Sequence, residues 1–565
     1  MVNHIKWYFL WVKNRDGNGM AGIFRKYAII EFGILVIVAF YALFPPSLIG
    51  KVWLYATFSF GRMLAAYILS LVFSILYGLY AATNKKAEKI MIPILDILQS
   101  IPILGFFPIA LYLLILYLPT AIGVEIASIV LIFTSQAWNM AFGVYESILT
   151  IPNDIKDAAN IFKIRGMRRF RILYLPAMIP RLVYNSMMSW AGGWYFLFAA
   201  EIISVGNTSY TIPGLGSFMW EMVESGRVEY GLLALATLII IIVAMDILIW
   251  RPLTRASDKY KYESLTEEQI QKRFYLAKIL DYMPSMDFIL KFFKFRIGRS
   301  LKGRHFRVFV KLWKYKRYLS YAALIIIFSF VGYAIGVTIR RGIVINVPIS
   351  ALYPVPEAIL LSIGRLAVAY ILSLAWIIPV AIYVKSHRHA EKVLNPIFEI
   401  LASIPATALF PFFVLLLIKT PFGVNLAAIL LIMTGMQWYI LFNVLSGISS
   451  FPTDYDAVAK TFKFSKWQYI KKVLLPGIYP PLITGSITGW GGGWNALIVS
   501  EYILVNGVTY SVLGIGYLID YATYVQGNVT LNIIYVIFMA ITVVILNRLL
   551  WRRLYARSQR YAFET

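Results

Sequence analysis

Long apolar runs separated by short basic stretches dominate the chain. Apolar residues run almost without interruption through 27–44, 58–80, 91–118, 122–142, 177–205 and 232–250. They do so again through 321–338, 362–384, 394–417, 424–445, 477–505 and 533–550. Runs of about twenty such residues match a hydrocarbon core about 30 Å thick, whereas a transmembrane barrel shows alternating segments of about ten. The pattern predicts an all-α, polytopic membrane protein with about twelve transmembrane helices. Pro45 and Pro46 close the first run, and Pro93, Pro102 and Pro108 interrupt the third. Proline inside an apolar run predicts a kinked or broken helix.

The second half repeats the first. GRMLAAYILSL at Gly61 matches GRLAVAYILSL at Gly364, and Ser100-Ile101-Pro102 matches Ser403-Ile404-Pro405, both with a shift of 303. Further on the shift is 300: Trp190 with Trp490, Trp194 with Trp494, Glu201 with Glu501. Six spans per repeat make the two repeats parallel, the kind related by an axis along the membrane normal. The implied organisation is an N-terminal segment and first span (1–57), a first repeat domain (58–250), a basic linker (251–319), a seventh span and outer loop (320–361), a second repeat domain (362–551) and a tail (552–565).

Charge orients this arrangement. Lys85, Lys86, Lys89 and Arg251, with Lys385, Lys471 and Arg552, collect on one set of loops, while the other set carries few bases (Lys51, Arg227, Lys419; Arg340 and Arg341 are a local exception). Basic loops stay cytoplasmic, so both termini are expected inside. The net charge of +26 follows from such loops and from a linker that mixes aromatics with bases, suited to anionic lipid rather than nucleic acid. Ser264 and Glu267 form a capping-box pattern in that linker. The patch at 7–12 is too short to span and is expected to lie on the membrane surface.

Much chemistry is excluded. The chain has no cysteine, so disulfides and thiolate metal sites are out. His4, His305, His387 and His389 form no ligand run, and no metal site is expected. No GxxxxGK[ST] phosphate loop, GxSxG or HExxH pattern occurs, so the chain is not expected to be an enzyme. Asp246 reads as interfacial, close to the basic inner end of the sixth span.

Two polar islands interrupt the apolar pattern at repeat-equivalent places, 157–180 and 457–480. Each reads as a short amphipathic helix followed by Leu-Pro. Ala158, Ile161, Phe162 and Arg165 form one stripe, and Val458, Thr461, Phe462 and Ser465 take the same places. An aromatic on a cytoplasmic loop suits a partner's groove. Membrane acids are few, so Glu201 and Glu501 are functional candidates. Each follows a cluster of glycine and tryptophan, Trp190 to Trp194 and Trp490 to Trp494. Trp190 and Trp194 are four apart and share a helix face; the four tryptophans are candidates for a central gate, with ordinary helix packing as the alternative. Gln136 and Gln437 are further candidates for the pathway.

The spacing of nineteen residues from Asp157 to Pro176 resembles the EAA loop of binding-protein-dependent ABC importer permeases. Gly214-Leu215-Gly216 and Gly514-Ile515-Gly516-Tyr517 resemble the GLGYLI of nitrate, sulfonate and taurine-type members. The resemblance covers most of the chain and implies two permease domains fused in one polypeptide. It implies that the islands are coupling helices for two separate cytoplasmic ATPase subunits, through Asp157, Ala158, Ala159, Phe162 and Pro176 in one copy and Asp456, Ala459, Phe462 and Pro476 in the other. ATP and magnesium would belong to those subunits, with no cofactor in this chain. An extracytoplasmic solute-binding protein would deliver a small anion to a prokaryotic plasma membrane. Two departures stand out. Lys163 and Lys463 occupy the family's glycine place, and the second copy has Ala457 where an acid belongs, with Asp454 and Asp456 displaced. The first island is therefore expected to couple more strongly. The alternative reading is an ion-coupled secondary transporter that uses Glu201 and Glu501 as carriers.

Overall fold

The computed structural model describes residues 38–260 and 348–561, apart from 101, 206–207, 388–389, 418–419, 421, 450, 452 and 506–507. The patch at 7–12, most of the first span, the linker helix, the seventh span and Arg340–Arg341 lie outside the described residues.

The first repeat runs through α1 (Pro46–Thr83), α2 (Lys85–Ser100), α3 (Ile103–Tyr117), α4 (Thr120–Leu149), α5 (Asn153–Ile161) and α6 (Leu175–Glu201). It continues through β1 (Ile202–Val205), β2 (Thr208–Thr211), α7 (Leu215–Glu224) and α8 (Val228–Met245). The second repeats this order: α9 (Val355–Ser386), α10 (Ala390–Ser403), α11 (Ala406–Leu417), α12 (Gly423–Ser449), α13 (Thr453–Thr461), α14 (Leu475–Ser500), β3 (Tyr502–Val505), β4 (Val508–Ser511), α15 (Ile515–Asp520) and α16 (Val529–Leu546). Six helical stretches among the described residues are long and apolar enough to cross a membrane, three from each repeat. The protein is a polytopic, all-α membrane protein apart from two small hairpins.

Several boundaries differ from the sequence reading. The second span begins at Pro46, not 58, because Pro at the first helical position costs no hydrogen bond. The boundaries at 57/58 and 361/362 therefore fall inside helices. The third run is two helices, α2 and α3, parted at Pro102, and its repeat partner parts at Pro405. The fifth and eleventh runs do not reach 205 and 505 as helix. They stop at Glu201 and Ser500 and turn into antiparallel hairpins, Ile202 opposite Thr211 and Tyr502 opposite Ser511. Short, largely apolar runs of four residues such as Ile202–Val205 and Tyr502–Val505 cannot be told from a helix end by hydrophobicity alone.

Small residues set the helix packing. Ser70, Ser74 and Gly78 recur every fourth position on α1 and let α4 approach closely. Ser70 and Ser74 donate across the contact to the carbonyls of Phe133 and Ala137, at 3.3 and 3.0 Å. In the second repeat, a Cβ at Gly492 of α14 would collide with the Gly435 carbonyl of α12. The glycine cluster thus buys contact between helices rather than an evident hinge.

The halves are interleaved. α3 packs on α14 and α16, while α11 packs on α6 and α7. Polar bonds pin both crossings. The Ile103 N–H, freed at the start of α3, donates to Asn495 Oδ1 at 2.8 Å. The Thr407 hydroxyl donates to the Tyr195 carbonyl at 3.0 Å. Residues 195 and 495 are repeat-equivalent, so each inner helix receives the broken helix of the other half.

Candidate functional site

Two features recur in both repeats: a buried ionic cluster beside the hairpin, and an exposed helix at the opposite end. The cluster is built by the hairpin itself. After β2 the chain turns at Pro213 and Gly214 into α7, whose first N–H groups have no helical partner. Glu201, at the end of α6, fills that role. It is wholly buried, and its Oε2 accepts from the Gly216 N–H at 2.7 Å. Its Oε1 accepts from the Ser59 hydroxyl at 2.5 Å and from Arg62 at 2.9 Å. Ser59 in turn accepts from the Leu215 N–H at 2.8 Å. A carboxylate at a helix N-terminus is favoured by the helix dipole as well. A Cβ at Gly214 would run into the Glu201 carboxyl; glycine is needed there for space, since its φ of −174° is ordinary extended backbone.

Arg62 ties the cluster to two more elements. It donates to the Pro213 carbonyl at 2.8 Å and makes a two-pronged pair with Glu125 of α4, both contacts 2.7 Å. One guanidinium thus joins α1, α4, the end of α6 and the turn into α7. The second repeat matches it: Ser362, Arg365 and Glu501 meet at 2.7 Å, Gly516 N–H donates to Glu501 at 2.8 Å, and Arg365 donates to the Leu513 carbonyl at 2.9 Å. It differs at two places. Asn425 stands where Glu125 does and accepts from Arg365 at 2.9 Å. Asp520, buried on α15, lies within electrostatic reach of Glu501, and its repeat partner is Trp220.

Sequence reasoning picked out Glu201 and Glu501 but not their buried partners, Arg62 and Arg365. A signal was available, since Ser59–Arg62 and Ser362–Arg365 repeat at the same shift of 303 inside apolar runs. A charge buried there calls for an acid.

The aromatic candidates sit in the same bundles. Trp190 and Trp194 meet edge to face at 6.5 Å, and Trp190 packs on Tyr67 and Trp250 at 5.5 and 5.9 Å. Trp490 packs on Tyr370 and Trp551 at 6.1 and 5.5 Å. These ring contacts stay within each half; among the described residues none joins the tryptophans of the two halves. The indole N–H groups of Trp190, Trp194 and Trp490, and Gln136 Oε1, are buried without a protein partner. Gln136 and Gln437 are not equivalents. Gln136 lies against Met63, and Gln437 accepts from the Trp376 indole at 3.0 Å.

At the other end, α5 and α13 stand out from the bundle. Each ends in the same turn. Lys163 N–H donates to the Asn160 carbonyl and Ile164 N–H to Ala159; Lys463 and Phe464 do the same with Lys460 and Ala459. This is a Schellman cap, with Lys163 and Lys463 at φ 51° and 50°. The left-handed conformation explains why glycine suits that place. The predicted docking set divides. Asp157, Ala158, Ile161 and Phe162 are exposed, as is Phe462, whereas Ala159 and Ala459 are buried against the bundle. Ala159 packs with Leu79, Val144 and Leu173, so it holds the helix in place rather than facing outward. Asp456 is tied inward too, by Lys385 at 3.0 Å and the Tyr469 hydroxyl at 2.6 Å. Burial and that carboxylate push the Tyr469 hydroxyl up. Pro176 and Pro476 are half-buried. Proline lacks the N–H that continues an α-helix, and the turns before them widen: the Leu175 and Leu475 N–H groups bond five residues back, to Phe170 and Ile470.

A duplicated helical bundle, interleaved across the membrane and carrying an exposed helix from each half, defines a multi-pass membrane component. The chain belongs to the family described as "binding-protein-dependent transport system inner membrane component", which it matches twice, over residues 74–250 and 359–555. It is 31% identical over 161 residues to the nitrate import permease protein NrtB of Synechococcus elongatus, covering 28% of this chain and 54% of that protein. It is 31% identical over 188 residues to the bicarbonate transport system permease protein CmpB of the same species, covering 33% and 64%. A putative aliphatic sulfonates transport permease protein, SsuC of Bacillus subtilis, matches at 28% over 208 residues, covering 35% and 70%. The matched stretch thus spans between half and two thirds of the length of NrtB and CmpB.

Proposed function

We propose that the chain is the membrane-spanning subunit that forms the solute pathway of an ATP-driven importer, two permease domains in one polypeptide, coupled to two separate cytoplasmic ATPase subunits. The observation that carries this reading is the pair of exposed helices α5 and α13, each presenting a bare phenylalanine, Phe162 or Phe462, at 75% and 69% exposure. Exposed aromatics on a basic loop are an interaction surface. ATP and magnesium belong to the ATPase subunits, whose closure would move both helices together and switch the bundle between two arrangements. A solute-binding protein would dock at the hairpin end, in a prokaryotic plasma membrane with both termini inside.

The solute is a small oxyanion of the nitrate, bicarbonate or sulfonate kind. The permeases this chain is similar to carry these solutes in their names. The unpartnered indole N–H groups of Trp190, Trp194 and Trp490 are the sort of donor an oxyanion takes up. The ion-coupled alternative is disfavoured because Glu201 and Glu501 are each occupied by arginine, serine and backbone N–H.

The test is uptake by vesicles holding the chain with its ATPase and binding protein. Labelled nitrate, bicarbonate and an alkyl sulfonate are offered with and without magnesium ATP. Uptake that needs ATP supports the reading. Uptake driven by an ion gradient without ATP refutes it.

A further inference from the structure

Resting on that proposed function, we propose that the second coupling helix is the principal anchor of the ATPase pair and that Trp467 is its central contact. This reverses the order expected from the sequence, in which the first copy keeps its acid and the second loses it.

The two surfaces differ in what they expose. Around α13 stand Phe462 and Trp467, each 69% exposed, with Val458 at 50% and Tyr455 at 46%. Around α5 stand Ile161 and Phe162, at 76% and 75%. Trp467 has a half-buried methionine, Met167, at its equivalent place. A large exposed indole on a cytoplasmic turn is otherwise a liability. It lies five residues from Phe462, across the left-handed turn at Lys463, and both side chains are exposed.

They also differ in how firmly they are held. Asp456 bridges Lys385 at the end of α9 and Tyr469 in the lead-in to α14. Ser465 and Gln468 cap the turn that carries Trp467 by exchanging hydrogen bonds, at 2.8 and 3.3 Å. The first copy has Ala82 in place of Lys385 and Lys156 in place of Asp456, so this ion pair is missing there; α5 is held instead by exposed bonds, Arg169 to Asn160 at 2.8 Å and Lys156 to the Leu149 carbonyl at 3.2 Å. A surface already held in its bound shape loses less freedom on docking.

Magnitudes decide the order. Truncating a buried tryptophan anchor weakens an interface about thirtyfold or more. An exposed carboxylate such as Asp157 contributes a pair worth less than about fivefold. The partner surface would be an apolar groove edged with carboxylates, because the exposed Lys460, Lys463 and Lys466 lie within two residues of Phe462 or Trp467 along the chain.

The experiment titrates the full-length chain, in nanodiscs, with the ATPase that co-purifies with it, identified by its phosphate-loop peptides. Trp467→Ala and Phe462→Ala are expected to raise Kd about thirtyfold. Phe162→Ala and Asp157→Ala should raise it less than about fivefold. Trp467→Phe should recover most of the loss, and an unchanged melting temperature shows that each variant folds. First-copy variants that weaken binding as much as second-copy ones overturn the proposal. So does an unchanged Kd for Trp467→Ala, in particular if lipid-borne quenchers reach the Trp467 indole, which would assign it to the membrane. If no ATPase binds the unaltered chain, the importer reading itself fails.

Discussion

The two ionic clusters make a sharp prediction, because Asn425 replaces Glu125 and the buried Asp520 stands beside Glu501 where the first repeat has Trp220. Arg62 has two carboxylate partners, Glu201 and Glu125; Arg365 has Glu501 and the neutral Asn425. Replace Glu201 by Gln. Arg62 keeps its two-pronged pair with Glu125, and the loss is limited to weakened bonds from Ser59 and Gly216, about 1–2 kcal/mol. Replace Glu125 by Asn instead. Its side chain is 42% exposed, so the pair is worth about 1 kcal/mol or less. Do both, and Arg62 is a buried cation with no anion. Stranding a buried charge costs about 3–5 kcal/mol. The double variant should therefore cost about 2 kcal/mol more than the sum of the singles.

The second repeat carries out half of this experiment already. With Asn425 in place, Glu501→Gln alone should cost more than Glu201→Gln, up to about 3–5 kcal/mol, less what is regained by relieving the like charge of the buried Asp520. The assay is unfolding of the chain in mixed micelles by rising SDS fraction, followed by tryptophan fluorescence, with all four variants in parallel. Additivity within about 0.5 kcal/mol at Glu125 and Glu201, or a Glu501→Gln variant as mild as Glu201→Gln, would refute the claim that these arginines depend on their acids.

Lys163→Gly and Lys463→Gly should each stabilise the chain by about 1 kcal/mol, by relieving a left-handed residue; the same unfolding assay reads this, and a loss of stability counts against the cap geometry. Gly214→Ala should destabilise by about 2 kcal/mol or more, because its Cβ displaces the buried Glu201 carboxylate from its donors; wild-type stability would mean that the turn is loose. Phe162→Glu should leave stability within about 0.5 kcal/mol and lower ATP-dependent uptake, whereas Ala159→Glu should lower both, because Ala159 is buried against the bundle.

The sequence is informative where a long-range pattern stands for a physical need. Twenty-residue apolar runs announce the membrane, and the repeat announces its own pseudosymmetry. The polar islands are legible because charge cannot sit in hydrocarbon. The pattern is silent on what depends on a partner far along the chain. Ser59, Arg62 and Glu201 lie up to 142 residues apart, and no local periodicity joins them. The hairpins at 202–211 and 502–511 are hidden because their β-branched and aromatic residues simply extend the apolar run of the helix before them. The division of the docking set, Ala158 outward and Ala159 inward, turns on one residue of helical phase. The sequence stripe included Ala158 and Phe162 but could not say which face the bundle would claim.

Comparing the halves shows which positions are fixed by geometry. Glycine stays at 214 and 514 because any Cβ meets a carboxylate. Glu, Arg and Ser stay together in both clusters because removing one strands another. Change occurs where a substitute exists. Glu125 is partly exposed, and Asn425 can take over its bond to the arginine but not its charge. Lys156 and Asp456 sit where each finds a different partner, the Leu149 carbonyl for one and Lys385 with Tyr469 for the other. The hairpin ends of the two halves therefore remain nearly alike, while the ends that bear α5 and α13 have diverged. A pathway shared between two halves needs its ionic scaffold in both. If α5 and α13 are the docking surfaces proposed above, they need no such match, because one chain presents both helices at once and one strong contact can hold a partner in place for the weaker one.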